Sequence, residues 1–378
     1  MSQPAVTNDE RTALACLGGL STPRDSLLLR RLTEALGAAQ TLNAILTETP
    51  PSPAELATTM LSAETAPAAP ATEETTNAFT QAADSSHPGS HAHRGRRTGS
   101  RGEGRPVTDQ RQPTTSDTGQ ETIEDLVNRI RWAFMQWRTD AAAAVRNLPE
   151  LAAACDRTGA RFIIPGDPEW PTSQLNDLGP TRPYGLWLRG QRNLRDACSH
   201  AVTLAGSRAA SDYGLHVATQ LAEDLAEAGW TTLSGGAYGI DARAHQGALA
   251  QHGTTVAVLP CGVDVAYPAA HARMFTEISA NGVLVSEWPP GTRPQLRRFL
   301  ARNRIAAALS RATVIIESST HSGSLNTARH ARDLGRPLMA VPGPITSATS
   351  RGCHLLIREQ NATLVTTADE ITQHLHTT

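Results

Sequence analysis

From about Cys198 onward, short apolar strands alternate with helix-length segments, and that alternation most constrains what this chain can fold into. Strands are expected at 201–205, 230–234, 254–259, 282–286, 312–317 and 337–341. Between them lie helical stretches such as 215–228, 242–251 and 325–334. Apolar runs separated by helices at this spacing imply an α/β fold with a doubly wound, mainly parallel sheet. Ligands on such sheets bind beyond the carboxyl ends of the strands. Those ends are where the polar and glycine-rich signatures fall.

The first two ends carry one device twice. A-V-T-L-A-G-S-R (201–208) and W-T-T-L-S-G-G-A-Y-G-I-D-A (230–242) each run an apolar strand into a glycine turn that opens a helix. A helix N-terminus presents free N–H groups and a positive dipole end, which suits phosphate. Gly206, Ser207 and Arg208 add a hydroxyl and a guanidinium fork. Alone, that tripeptide reads equally as a tight turn with a surface arginine. Ser234, Gly235 and Gly236 allow positive φ and close ligand approach. Asp241 is expected to cap its helix or tie loops together, and His245 to be a packed core histidine.

The third end carries Gly262 and then Tyr267, which could stack on a base or simply pack its loop onto the sheet. Cys261 stands at a strand tip with no His–acid pair near it. Between Glu287 and Glu317 there are six arginines and no acid. Arg302, Asn303 and Arg304 are expected to open the helix before the next strand and face the ligand surface with its N-terminus. Ser322, Gly323 and Ser324 repeat the hydroxyl-plus-glycine cradle one strand further on.

The 378 residues allow more than one domain, and the formal charge of −2 provides no global basic field, so nucleic-acid contact must come from local clusters. Every basic residue is arginine; without lysine, a Walker-type loop and Schiff-base chemistry are excluded. Five scattered cysteines, an odd number with no Cys-x-x-Cys, fit a reducing compartment. No segment reaches membrane-spanning length, so a cytoplasmic protein with no membrane partner is expected.

Residues 1–48 read as a small helical N-terminal domain, with Gly37 closing one amphipathic helix. Residues 49–120 shift to Thr, Ala, Ser, Pro, Gly and Arg and are expected to be a disordered insertion. Its Arg94–Arg105 patch is either a solvated linker or a weak nucleic-acid contact, and His87, His91 and His93 make at most a weak metal site. Residues 121–160 resume as helix, and the sheet domain is expected over 161–378. Neither a Gly-x-Ser-x-Gly elbow nor a His-Glu-x-x-His is present. The dinucleotide fingerprint G-x-G-x-x-G is also missing, and no acid ends the strand at Leu259. No cofactor, metal or catalytic residue is therefore expected.

In this order the motifs resemble the bacterial DNA-processing protein A family (DprA, or Smf). The resemblance runs through A-G-S-R-A-A-S-D-Y-G, L-S-G-G-A-Y-G-I-D-A-R-A-H, V-A-V-L-P-C-G-V-D-V-A-Y-P, V-S-E-W-P-P-G, R-F-L-A-R-N-R-I-A-A-A-L-S, S-G-S-L-N-T-A and A-V-P-G, from about Trp170 to Ile371. It implies an extended Rossmann-like domain that binds single-stranded DNA as a homodimer and hands strands to the RecA recombinase during natural transformation. By motif, Gly206, Ser207 and Arg208 would hold the DNA backbone. Ser234, Gly235, Gly236 and Arg302-Asn303-Arg304 would line the same pocket.

Three departures stand out. The insertion is foreign to the compact family pattern, and His321 stands where Arg or Lys commonly precedes Ser-Gly. The chain stops soon after Ile371, before the winged helix that some members carry, so duplex binding through that module is not expected. Two other functions stay open: a phosphoribohydrolase-like nucleotide enzyme and a nucleotide-sensing module in phage defence. Against the first, Pro342-Gly343-Pro344 lacks the rest of P-G-G-x-G-T. Against the second, no effector domain is visible.

Overall fold

The alternation builds one nine-stranded sheet, seen in a computed structural model that describes residues 9–18, 26–47 and 123–377. The strands are β1 (Arg161–Ile163), β2 (Leu186–Arg189), β3 (Ala201–Gly206), β4 (Thr231–Ser234) and β5 (Thr255–Leu259). They continue with β6 (Val283–Ser286), β7 (Ala312–Ile316), β8 (Leu338–Ala340) and β9 (Thr363–Leu364). Their order across the sheet is β1-β2-β6-β5-β4-β3-β7-β8-β9. The six strands from β3 to β8 lie at the expected positions and pair in parallel. Every residue of β4, β5, β6 and β7 is buried, as strands of a parallel sheet covered by helices on both faces are.

The two strands before β3 break the parallel pattern: β2 runs antiparallel to β6, and β1 antiparallel to β2. On the far side the two-residue β9 adds a parallel edge that the sequence pattern does not single out. The chain leaves β3 toward β4, β5 and β6, then returns to lay β7 on the other flank of β3. This reversal opens a crevice at the carboxyl ends of β3 and β7.

Helices begin slightly ahead of the expected positions, after a capping serine in the first case and after glycine in the next two. Ser211 accepts from Gly214 N and opens Asp212–Glu227, which sits with Ile240–Ala250 and Ser324–Asp333 near the expected spans. Leu204, Val314 and Ile316 pack beneath Leu221, Leu225 and Ile240 on one face. Val256, Val258 and Val285 meet Ile305 and Leu309 on the other.

The described amino-terminal residues form the helices Glu10–Gly18, Ser26–Leu36 and Ala38–Thr47, with Gly37 at φ +82 between the last two. Leu17, Leu29, Leu32, Leu42 and Ile45 are buried. Glu10 accepts from the amides of Ala38 and Ala39, stabilising the third helix at its positive end. Arg11 donates to Phe162 O and pairs with Asp167 at 2.7 Å, joining these helices to the β1 edge. Contacts group Met1–Ser52 with Val127–Thr378, and Pro53–Leu126 separately. Of the latter group only Ile123–Leu126, the first turn of the helix Ile123–Arg146, is described. The expected insertion, with Arg94–Arg105, His87, His91 and His93, lies outside the described residues.

Candidate nucleic-acid interface

Each glycine-rich turn closes against its neighbours more tightly than a free cradle would. Gly206 ends β3 so close to β7 that a Cβ would lie 1.9 Å from Ile316 O and 2.6 Å from Ile240 Cγ1. Ser207 N donates to Glu317 O, and Ser207 O accepts from Ile240 N. Gly239, at φ +75, lets the carbonyls of Ser207 and Arg208 approach the second turn. The two turns therefore form one layer at the mouth of the β3–β7 crevice.

The helix following the first turn offers no open N-terminus, which corrects the phosphate cradle expected there. Glu317 occupies that end: its carboxylate accepts from Ser211 N, Ser211 Oγ and Thr349 Oγ1 at 2.6–2.9 Å. It is buried and holds φ +53, an unfavourable conformation for a side chain of this kind. Gly214 makes room, since a Cβ there would meet Glu317 Oε2 at 2.3 Å. A carboxylate already matches the dipole, which leaves Arg208 and Ser207 as the solvent-accessible polar side chains of this turn. Nothing in the local sequence marks Glu317 for this role; it becomes evident only once β7 lies beside β3.

The second turn is filled from above by Arg302. Its guanidinium lies where a Gly235 Cβ would be, and its Nη2 is 3.6 Å from Asp241 Oδ2, both side chains being about nine-tenths buried. Burial pulls the Arg302 pKa below its ordinary value, countered by the charge of Asp241. Asp241 also accepts from Ala237 N, so it ties the loop together as expected. Ser234 is buried and its Oγ donates to Leu204 O.

Arg302, Asn303 and Arg304 do not open their helix. The helix runs from Leu296 to Leu309, and these residues fall in its middle. After Pro294 nothing breaks the backbone until Ser310, so the helix starts as soon as that proline permits. Being mid-helix, the three side chains diverge. Arg302 reaches the second turn, Asn303 Nδ2 donates to Gly323 O at 3.3 Å, and Arg304 turns away to Glu287 with 2.6 and 2.9 Å contacts. Arg304 also donates to Thr181 O, which leaves it a fastening between loops away from the crevice.

Gly262 holds the β5 loop to the 288–292 loop: its N–H donates to Thr292 O, and a Cβ would strike Pro289 O at 2.8 Å. At the third cradle Ser324 Oγ lies within hydrogen-bond distance of both Ser318 Oγ and Ser322 Oγ, at 2.9 and 2.8 Å. Gly323 caps that helix without a side-chain bond.

Above this layer lies an exposed row. Arg208 is exposed, and its Cζ sits 4.8 Å from the centroid of the Phe299 ring. Phe299 in turn meets Tyr267 edge-on at 5.7 Å, and Tyr267 is 43% exposed. Arg298 lies over Trp288 at 5.6 Å, with Leu296 and Leu300 exposed on the same helix. Tyr238, 50% exposed, projects beside His271. Phe299 and Tyr238 were not singled out from the sequence. Phe299 had a readable signal, an aromatic inside the acid-free arginine run.

Cys261 and His245 are both buried beneath this layer. Cys261 is buried, and burial pushes its thiol up to about 12. His245 is a core histidine, held at about 3 by burial and by Arg302, with Nδ1 2.7 Å from Thr255 Oγ1. Among the described residues, no three His, Cys, Asp or Glu side chains are grouped to hold a metal. Nor is any described helix long and apolar enough to cross a membrane.

The fold is thus that of the open doubly wound α/β proteins, here with a cationic and aromatic row contributed by the loops after β3 and β5 and by the helix Leu296–Leu309. The chain belongs to the DNA recombination-mediator protein A family, which residues 161–376, more than half of its length, match. It is 48% identical over 226 residues to a Mycobacterium tuberculosis protein described as a DNA processing protein DprA. That match covers 57% of this chain and 58% of the relative's length. The DNA processing protein DprA of Streptococcus pneumoniae is 38% identical over 202 residues, covering 53% and 69%. The X-ray structure of DNA processing protein A from S. pneumoniae superposes with a TM-score of 0.57 at 32% identity, over 66% of this chain and 84% of that one. A second, of the Helicobacter pylori protein, concerns its single-stranded DNA binding mode and gives 0.51 at 28%, over 58% and 96%.

Proposed function

We propose that this chain binds single-stranded DNA across the carboxyl ends of its strands and acts in DNA processing by holding the strand and delivering it to a RecA-type recombinase. The observation that carries this reading is the row Arg208–Phe299–Tyr267, a guanidinium and two rings in mutual contact above a closed glycine layer. A guanidinium fork suits a phosphate, and ring faces suit bases of any sequence. Ser207 and the Ser322–Ser324 hydroxyls add donors along the same end of the sheet. Single-strand binding by the H. pylori protein supports the same assignment here.

The layer beneath the row is tied by Glu317, Arg302 and Asn303, and a platform fixed in this way favours holding a strand. One row spans few nucleotides, and two copies acting on one strand would raise effective concentration; a cytoplasmic homodimer joined through the sheet domain is the assembly proposed.

The test is a titration of single-stranded and duplex oligonucleotides across salt. Single-strand affinity should show little sequence preference and fall by ~0.7 log units per neutralised phosphate for each log unit of salt. Salt-independent binding, or binding of free nucleotides only, would overturn the reading. Sedimentation with and without oligonucleotide tests the dimer. A RecA loading assay on strands coated with single-strand-binding protein tests delivery. A monomer without effect on loading, or release of free base from a nucleotide, would favour the enzyme instead.

A further inference from the structure

A cleft of about 460 Å³ runs between the helices Ile240–Ala250 and Ala272–Asn281. Its walls are apolar where Leu249 and Met274 face it, and its polar groups are Gln246, His271, Arg273 and Glu277. Arg273 and Glu277 pair with each other at 2.9 Å, so the lining carries no net charge when His271 is neutral. A phosphate gains little there, whereas a neutral, flat, partly apolar group is well matched.

The hydrogen-bonding groups of the lining are already oriented. His271 Nδ1 lies 3.1 Å from Gly236 O, a pure acceptor, so Nδ1 carries the proton and the neutral ring keeps Nε2 as an acceptor. Gln246 Oε1 accepts from Arg243 Nη1, which leaves its Nε2 as a donor. One donor and one acceptor in a cleft without net charge and with part of its wall apolar fit the edge of a nucleobase.

His271, which lines the cleft, links it to the second glycine turn through two contacts. The ring touches the second glycine turn at Gly236 and meets Tyr238 edge-on at 4.8 Å. Tyr238, in that same turn, is half exposed.

We infer that this cleft takes one nucleobase turned out of the bound strand, with Tyr238 at its mouth and His271 and Gln246 contacting the base edge. The inference rests on the strand-binding reading above and adds a site for a base away from the Arg208–Phe299–Tyr267 row. Turning a base out sacrifices its stacking, and the apolar walls and paired polar edge would offset that.

The test fills the cleft from its exposed rim with Ala250→Leu/Ala270→Leu, aliphatic changes at exposed lining positions that add no new ring face. Gln246→Leu serves as a second variant that removes only the donor. Each is titrated with a single-stranded oligonucleotide and with an abasic oligonucleotide of equal length, after a thermal melt confirms folding. The filled variant should lose roughly five- to a hundredfold in affinity for the base-bearing strand, the scale of one base contact, and nothing for the abasic one. Gln246→Leu should lose less, in the same pattern.

Equal losses on both strands, or none on either, would overturn the cleft while leaving strand binding intact. Failure of the unmodified protein to bind any single strand would instead remove the reading on which the cleft depends. Thymidine monophosphate is the third probe. If it binds the unmodified protein and is blocked by filling, while strand affinity does not change, the cleft is a free-nucleotide site and the inference fails.

Discussion

Replacing Arg302 with alanine separates two roles that an arginine in this family motif could play. Its guanidinium lies over Gly235, 3.6 Å from the Asp241 carboxylate, with side-chain exposures of 10% and 9%. At an effective dielectric constant near 20, two unit charges at that separation attract by ~4–5 kcal/mol. Desolvation of both ions cancels much of this, so the intact pair adds little net stability. Truncating one partner is different, because Asp241 would remain buried with only Ala237 N to satisfy it. Breaking such a pair costs ~3–5 kcal/mol. At ~2–4 °C per kcal/mol for a domain of this size, the melting temperature should fall by roughly 6–20 °C.

Thermal melts and urea titrations of Arg302→Ala measure this directly. Arg208→Ala is the control: exposed and outside the core, it should melt within about 1 kcal/mol of the unmodified protein yet lose ~1–3 kcal/mol of single-strand affinity. Arg302→Met/Asp241→Leu should recover part of the stability, since no charge is left unpaired. An Arg302→Ala protein with unchanged stability and a larger affinity loss than Arg208→Ala would refute the reasoning and make Arg302 a direct DNA contact.

Phe299→Ala should weaken binding by ~1–3 kcal/mol, losing one stacking face and the ring beneath Arg208, as read by fluorescence anisotropy at fixed salt. Its salt slope should not change, because no phosphate contact is removed. Gly206→Ala should unfold the sheet domain or cost more than ~3 kcal/mol, because the added Cβ would sit 1.9 Å from the Ile316 carbonyl in the β3–β7 ladder; circular dichroism in urea reads it. Acid should weaken the β1 edge. The Arg11 hydrogen bond holds Asp167 below its ordinary 3.8, and the Arg161 hydrogen bond holds Glu169 below 4.5. Carboxylates with depressed folded values stabilise the fold above their unfolded values, and that contribution disappears as pH falls through the folded ones. Asp167→Asn/Glu169→Gln should therefore be less stable than the unmodified protein at pH 7, by about 1 kcal/mol per partly exposed pair or less, and should converge with it well below pH 4.

The class of fold was legible from the chain alone because strand burial on both faces leaves a one-dimensional trace. Runs such as Thr255–Leu259 and Ala312–Ile316 are apolar but for one threonine each and buried along their whole length, as in a parallel sheet covered on both faces. The glycine turns were legible too, since Gly206, Gly236 and Gly239 occupy places where a side chain or a negative φ does not fit. Position along a helix was less so. Arg302-Asn303-Arg304 read as a helix start, but three consecutive residues on a helix point about 100° apart, and where the helix begins decides which one meets the site.

Only the tertiary structure decided how the charges are used. Six arginines in an acid-free run look alike as letters, yet Arg304 is satisfied by Glu287, Arg302 by Asp241, and Arg298 lies against Trp288. The partners of the first two lie 17 and 61 positions away in the chain, so no local pattern announces them. Glu317 is the clearest case. Its carboxylate takes the helix N-terminus that the turn after β3 had seemed to leave for phosphate, because β7 returns beside β3 and brings it there. Short-range preferences write strands and turns into the sequence; charge pairing across a sheet depends on which strands become neighbours, and that is settled by the fold as a whole.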